Sequence, residues 1–216
     1  MIQGNQDGET QAHSSILLEG GDGNDRITGI NNANGQYLAA GNAGNDLINM
    51  GSGHTTRAVA YGGDDNDLIY GASSSGAVTI FGDMDYGYGI GPSLTAGGED
   101  KIYGGDDNTG DVKIYGEADD DWIFTGSDNQ SVLVYGDGDC LGGGTDCHGD
   151  DIIQVEDGNM DAIVYGNGGD DKIIGGITIG NEKFYGGDGD DKIWMIHPNR
   201  RSLDAAGAAV GAIGTN

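Results

Sequence analysis

An Asp-x-Ile triplet stands at eight places in this chain in one regular series, and its spacing limits the fold more than any other feature. It stands at Asp25-Arg26-Ile27, Asp46-Leu47-Ile48, Asp67-Leu68-Ile69 and Asp100-Lys101-Ile102. It returns at Asp121-Trp122-Ile123, Asp151-Ile152-Ile153, Asp171-Lys172-Ile173 and Asp191-Lys192-Ile193. Successive aspartates are 21, 21, 33, 21, 30, 20 and 20 residues apart. The two long intervals each hold an insertion, at 83–99 and at 137–150. The underlying period is therefore about 20 residues, far from a heptad and too short for paired-helix repeats.

A glycine opens each repeat, at Gly20, Gly41, Gly62, Gly82, Gly116, Gly136, Gly166 and Gly186. Two residues earlier stands an apolar or small residue: Leu18, Ala39, Ala60, Ile80, Ile114, Val134, Val164 or Phe184. Each period thus holds two short strands, and strand alternation turns these residues and the isoleucines to one side. The expected fold is all-β, a parallel β-roll or β-solenoid of about eight coils over 16–196. Residues 1–15 are an N-terminal extension and 197–216 a C-terminal tail. Successive coils pair as parallel strands ~4.8 Å apart, giving a rod of roughly 40 Å. A flexible linker would explain the 45 glycines, but a linker has no reason to keep isoleucine in step with aspartate.

The acids decide the chemistry. With 36 Asp and Glu against 9 Lys and Arg, the formal charge is −27. That argues against nucleic acid or an anionic membrane surface as partner. No apolar run approaches the ~18 residues that cross a bilayer. Scattered acids would favour disorder, but these acids sit at fixed places in the repeat.

Residues 20–28 read GGDGNDRIT, which fits Gly-Gly-x-Gly-x-Asp-x-U-x with U apolar. GNAGNDLIN (41–49), GGDDNDLIY (62–70), GNGGDDKII (166–174) and GGDGDDKIW (186–194) are close variants, and GEADDDWIF (116–124) lacks the inner glycines. That nonapeptide is a known Ca²⁺-binding signature, and over about 16–196 the chain resembles the repeats-in-toxin (RTX) family of β-rolls. The resemblance implies Ca²⁺ held in the turns, with the last Asp of each hexapeptide as side-chain ligand. Those ligands would be Asp25, Asp46, Asp67, Asp100, Asp121, Asp151, Asp171 and Asp191. Turn carbonyls at Gly20, Asn24, Gly62, Asn66, Gly166 and Gly186 would complete the shell. Asp120, Asp150, Asp170 and Asp190, and the third-position Asp22, Asp64 and Asp188, either contribute through carbonyls or form a solvated acidic rim. The chemistry agrees: Ca²⁺ takes about six to eight oxygens at roughly 2.3–2.6 Å.

RTX rolls carry the nonapeptide in every half-coil, whereas here only alternate half-coils have it. One ion column is therefore expected, not two. The insertions put the sites at Asp100 and Asp151 in question, and Asp83, Asp85, Asp137 and Asp139 stand where extra ligands would help. Stacked carboxylates repel one another without cations. Folding is expected to need Ca²⁺ on the order of millimolar, the range of extracellular modules.

Outward strand positions are apolar: Tyr61, Phe81, Tyr115, Tyr135, Tyr165 and Tyr185 on one face, and Leu47, Leu68, Tyr70, Trp122 and Trp194 on the other. Such stripes suggest self-association into a homo-oligomer or filament. Cys140 and Cys147 close a short loop and read as a disulfide, with free thiols or a zinc site beside His148 as alternatives. Asn129-Gln130-Ser131 is a sequon for a glycan. The N-terminal MIQGNQDGET has no basic or apolar run of a classical secretion signal, unless one has been removed or the chain is a fragment, and the tail could cap the last coil, dock on a neighbour or serve export. The histidines His13, His54, His148 and His197 are scattered, and neither HExxH nor GxSxG occurs. The reading is a secreted or cell-surface structural roll that folds on Ca²⁺ and is not an enzyme. The alternative is the repeat part of a secreted RTX enzyme or toxin that aids export and folding.

Overall fold

The computed structural model describes residues 2–3, 15–31, 35–54, 56–73, 76–83, 97–138, 148–177, 180–195, 202–203 and 209–210. Two parallel sheets face each other. The first holds the longer strands β2 (Ser15–Asp22), β4 (Gln36–Ala43), β6 (Arg57–Asp64), β8 (Ala77–Phe81), β10 (Asp111–Glu117), β12 (Ser131–Asp137), β14 (Asp161–Gly168) and β16 (Glu182–Asp188). The second holds the short strands β1 (Ile2–Gln3), β3 (Arg26–Thr28), β5 (Leu47–Asn49), β7 (Leu68–Tyr70), β9 (Lys101–Tyr103), β11 (Trp122–Phe124), β13 (Ile152–Gln154), β15 (Lys172–Gly175) and β17 (Lys192–Met195). Their orders are β16-β14-β12-β10-β8-β6-β4-β2 and β1-β3-β5-β7-β9-β11-β13-β15-β17. The chain thus alternates between sheets and advances one strand per coil, as a parallel β-solenoid must. An antiparallel pair, β18 (Ser202–Leu203) and β19 (Ala209–Val210), contacts β16 and β17 at the C-terminal end.

The register keeps the sequence repeat. Ile27, Ile48, Ile69, Ile102, Ile123, Ile153, Ile173 and Ile193 pair in one unbroken row and are all buried. Opposite them lie Ala39, Ala60, Ile80, Ile114, Val134, Val164 and Phe184, also buried, while Leu18 in the first coil is only partly covered. Both expected ladders are present. A third row adds to them two residues earlier in the long strands: Tyr37, Ala58, Val78, Val112, Val132 and Ala162. The core is therefore wider than a single pair of side chains per coil.

Size is balanced across the core. A Cβ on Gly29 would lie 2.6 Å from the Tyr37 hydroxyl, one on Gly104 would lie 3.0 Å from Ile114 Cδ1, and one on Gly175 would lie 2.5 Å from Phe184 Cε2. Large side chains on one sheet thus fill the space that glycine leaves on the other, which keeps an interior close-packed. Tyr37 also stacks on His54 at 5.0 Å, and His54 Nε2 is 2.7 Å from the Met50 carbonyl. His54 is therefore a core residue.

The outward aromatics form files. Tyr61, Phe81, Tyr115, Tyr135, Tyr165 and Tyr185 stack in sequence at 4.8–5.3 Å with near-parallel rings. A shorter file, Tyr70, Tyr103 and Phe124, stands on the other sheet. Lys101 lies 5.5 Å from the Trp122 ring and 5.7 Å from that of Tyr103. Same-face neighbours on adjacent strands lie close enough for such contacts, and each adds stability along the rod. The expected disulfide between Cys140 and Cys147 lies outside the described residues, as do Asp85 and Asp139.

Candidate metal centre

Each long strand reaches its short strand through a turn that opens on glycine and ends on the repeat aspartate. The turn needs left-handed backbone at its second and fourth positions: Gly63 has φ +119° and Gly23 has φ +95°. Glycine takes that region at no steric cost. Asn42, Asp65, Asp119, Asn167 and Glu117 occupy the same places with positive φ elsewhere. The first glycine is required for a different reason. A Cβ on Gly62 would collide with Asp67 Oδ2 and with the Gly82 carbonyl of the next coil. The same collision, with the matching aspartate and carbonyl, arises at Gly41, Gly82, Gly116, Gly136 and Gly166.

The repeat aspartates therefore point into the turn and are stacked. Asp46, Asp67, Asp100, Asp121, Asp151 and Asp171 are buried, at 0–3% exposure, while the end members Asp25 and Asp191 are partly open. From Asp46 to Asp191, one carboxylate oxygen of each is used by the backbone. The Asp25 N–H donates to Asp46 Oδ1 at 2.7 Å, and Asp46 N–H to Asp67 Oδ1 at 2.7 Å. The pattern runs on through Asp100, Asp121, Asp151, Asp171 and Asp191 at 2.8–3.1 Å. The other oxygen is not used. Oδ2 of Asp46, Asp67, Asp100, Asp121, Asp151 and Asp171 is buried without a hydrogen-bond partner.

Such a file is costly to ionise. Burial pushes the carboxyl pKa up to about 6 at Asp46 and to about 8 at Asp67 and Asp171. Asp100, Asp121 and Asp151 are held well above the usual carboxylate range, by burial first and then by neighbouring carboxylates. Backbone N–H groups oppose this without cancelling it. A buried charge of this kind needs a counter-charge or a proton.

The donor set fits Ca²⁺. Each step offers a buried carboxylate oxygen with no partner, facing a glycine carbonyl of the next coil, in a space that a Cβ would fill. Among the described residues no group of three or more His, Cys, Asp or Glu side chains makes a ready metal cage. Any ion must then draw much of its shell from backbone carbonyls, which suits a hard cation of flexible coordination.

The remaining candidates fall at the rim. Asp22, Asn24, Asn66 and Asp188 are exposed and Asp64 is half-buried, which leaves their carbonyls rather than their side chains as donors to the turn. Asp120, Asp150, Asp170 and Asp190 are exposed too, and the carboxylates of the first three each cap the backbone N–H of the next coil. Asp150 N–H donates to Asp120 Oδ1 at 2.7 Å, and Asp170 N–H to Asp150 Oδ1 at 2.7 Å. This outer ladder runs in the opposite sense to the inner one.

The opposite edge holds residues that the sequence reading passed over. Asn108, Asn129 and Asn159 are buried and stacked: Asn108 N–H donates to Asn129 Oδ1 at 3.0 Å, and Asn129 N–H to Asn159 Oδ1 at 2.9 Å. Asn129 Nδ2 donates to the carbonyls of Gly105 and Thr125, and Asn159 Nδ2 to those of Gly126 and Glu156. Asn129 is also the residue that the sequence offers as a glycan acceptor. Its side chain is fully buried, and the nitrogen that would carry a sugar is occupied by the fold. The sequence signal was a shared Asn four residues after Gly104, Thr125 and Val155.

A parallel solenoid with an inward file of aspartates at glycine-rich turns is a calcium-binding repeat fold. The family model of the RTX calcium-binding nonapeptide repeat, in four copies, matches residues 17–29, 39–56, 59–76, 106–129, 161–177 and 178–194. The chain belongs to this RTX repeat family, whose nonapeptides bind calcium. The matched segments pass over both insertions. No curated protein and no solved structure matches the chain. Among the described residues no helix is long and apolar enough to cross a membrane.

Proposed function

We propose that this roll is an extracellular structural module that folds on Ca²⁺ and associates with copies of itself. The observation that carries the calcium part is the file of buried, unpartnered Oδ2 atoms from Asp46 to Asp171. The ligands are Asp25, Asp46, Asp67, Asp100, Asp121, Asp151, Asp171 and Asp191, with turn carbonyls completing each shell. The ions form one column along this edge. The asparagine edge takes none, because its polar groups are already paired. Calcium then offsets the repulsion within the column, and its binding energy becomes folding energy.

An extracellular setting is supported by the family, whose repeats are typical of secreted proteins. Self-association is supported by the outward apolar groups, with Trp122 49%, Leu17 43% and Tyr70 38% exposed on the strand faces. Among the described residues, strand β2 pairs on one side only and offers an open edge. The roll itself is a structural repeat unit and not a catalytic one. Circular dichroism and sedimentation, each with calcium and with chelator, test both parts. Strand signal gained on adding calcium, with a shift to assemblies, supports the reading. A signal indifferent to chelator would refute the calcium part. A monomer in saturating calcium would refute self-association and favour the repeat portion of a secreted enzyme or toxin.

A further inference from the structure

We propose that Asp83 creates a calcium site of a second kind, with two buried carboxylates, where the roll accommodates the 83–99 insertion. The inference rests on the calcium reading above and assigns a ligand outside the nonapeptide pattern.

At the second turn position the uninterrupted coils carry Gly21, Asn42, Gly63, Glu117, Asn167 and Gly187, all with left-handed backbone. The two coils with insertions carry aspartate there instead, Asp83 and Asp137, and neither has positive φ. Freed from that conformation, both side chains turn inward, to 0% and 1% exposure. Their surroundings differ.

Asp137 is fully used. Its Oδ1 accepts the Gly149 N–H at 2.8 Å and its Oδ2 accepts the Gly168 N–H at 2.8 Å, with His148 Nδ1 3.9 Å away. It pins the base of its insertion to the next coil. Asp83 makes half of that arrangement. Its Oδ2 accepts the Ala118 N–H at 2.9 Å, the counterpart of the Gly168 bond. The Gly98 amide also interacts with the carboxylate and helps to lower its pKa, but no donor lies within hydrogen-bond geometry of Oδ1. Oδ1 is buried with no partner.

The neighbour of Asp83 in the chain is Gly82, whose missing Cβ would collide with Asp100 Oδ2 and the Gly116 carbonyl. Asp100 Oδ2 is itself buried and unpartnered. Two buried carboxylates that interact with each other, each with an unpartnered oxygen, thus share one turn with a carbonyl, where the regular turns supply one such carboxylate. Calcium affinity rises with the number of charged ligands. The turn of Asp83 and Asp100 is accordingly the strongest site of the column, and it sits at the coil where the repeat is most interrupted.

Calorimetric calcium titration of the full chain tests this with Asp83→Asn and Asp137→Asn. Asn keeps an oxygen for the Ala118 N–H, and melting curves in saturating calcium check that each variant folds. The wild type should show one ion bound about tenfold or more tightly than the rest, and Asp83→Asn should lose that ion class. Asp137→Asn should keep it. Asp83→Ser, which also keeps an oxygen acceptor, takes the place of Asp83→Asn should the latter not fold. Titrations of wild type and Asp83→Asn that superpose would overturn the proposal and mean that Asp83 and Asp100 share a proton instead. Equal losses in Asp83→Asn and Asp137→Asn would overturn it as well. A wild type that binds no calcium would defeat the calcium reading itself.

Discussion

Asn108, Asn129 and Asn159 stack along one edge of the roll much as Asp100, Asp121 and Asp151 stack along the other. In both files an Oδ1 accepts a backbone N–H from the adjacent coil. The difference lies in the second terminal atom. An amide nitrogen donates, and the turn beside it offers carbonyls such as those of Thr125 and Gly126. A carboxylate oxygen only accepts, and the glycine carbonyl opposite only accepts too. The asparagine edge closes on itself, while the aspartate edge needs something positive between its oxygens. Exchanging nitrogen for oxygen at one position thus separates a passive turn from a metal-dependent one.

The largest effect should come from moving the acid to the wrong edge. Asn129→Asp removes two donors from a fully buried site and adds a charge there. A loss of about 3 kcal/mol or more is expected, and calcium should not restore it in thermal melts. Recovery with calcium would mean that the two edges are chemically alike. The reverse change, Asp121→Asn, should have opposite signs in two buffers. In calcium at a hundredfold excess over Kd, losing one ion costs about 2.7 kcal/mol. In chelator the variant should melt higher than wild type, since it removes a buried charge flanked by Asp100 and Asp151. Destabilisation in both buffers would assign Asp121 a purely structural role.

Acid should imitate the metal in part. Asp67 and Asp171 have pKa values raised to about 8 in the folded roll, against about 3.9 in an unfolded chain. The folded state therefore binds the extra protons between these limits, and stability without metal rises as pH falls from about 8 toward 4. It is lost again as pH rises through the folded values. Denaturant midpoints in chelator should follow that direction, and the gain from calcium should shrink as pH falls. A flat profile would show that these carboxylates are solvated. The smallest effect belongs to Asp65→Gly. Asp65 is exposed with φ +71°, so glycine should stabilise the turn by about 0.5 kcal/mol. Loss of stability would indicate a side-chain role for Asp65.

The aspartate edge was legible because its rule is local. Glycine at the first position and Asp followed by Ile recur at fixed offsets, and steric need and burial both act within one turn. The isoleucine row and its facing ladder followed from strand alternation alone. The asparagine edge was not legible in the same way. Among the described residues three coils carry it, and a variable turn that ends on Asn108, Asn129 or Asn159 looks like ordinary loop sequence until the stacking is seen. Asn129 shows the hazard, since the same asparagine opens a sequon and stands in the ladder. Tyr37 was hidden for another reason. Tyr37 shares the inward parity of Ala39 two residues later, but room for so large a ring comes from the space left by Gly29 on the other sheet, which the sequence does not reveal. Asp83 and Asp137 drew attention as acids near the insertions, but nothing in the sequence separates the satisfied one from the unsatisfied one.

Anomalous diffraction from crystals grown in calcium would locate the ions directly. Peaks should lie in one row beside Oδ2 of Asp46, Asp67, Asp100, Asp121, Asp151 and Asp171, with none along Asn108, Asn129 and Asn159. Peaks on the asparagine edge, or an aspartate edge ordered without any, would contradict the division of labour between the two sides of this roll.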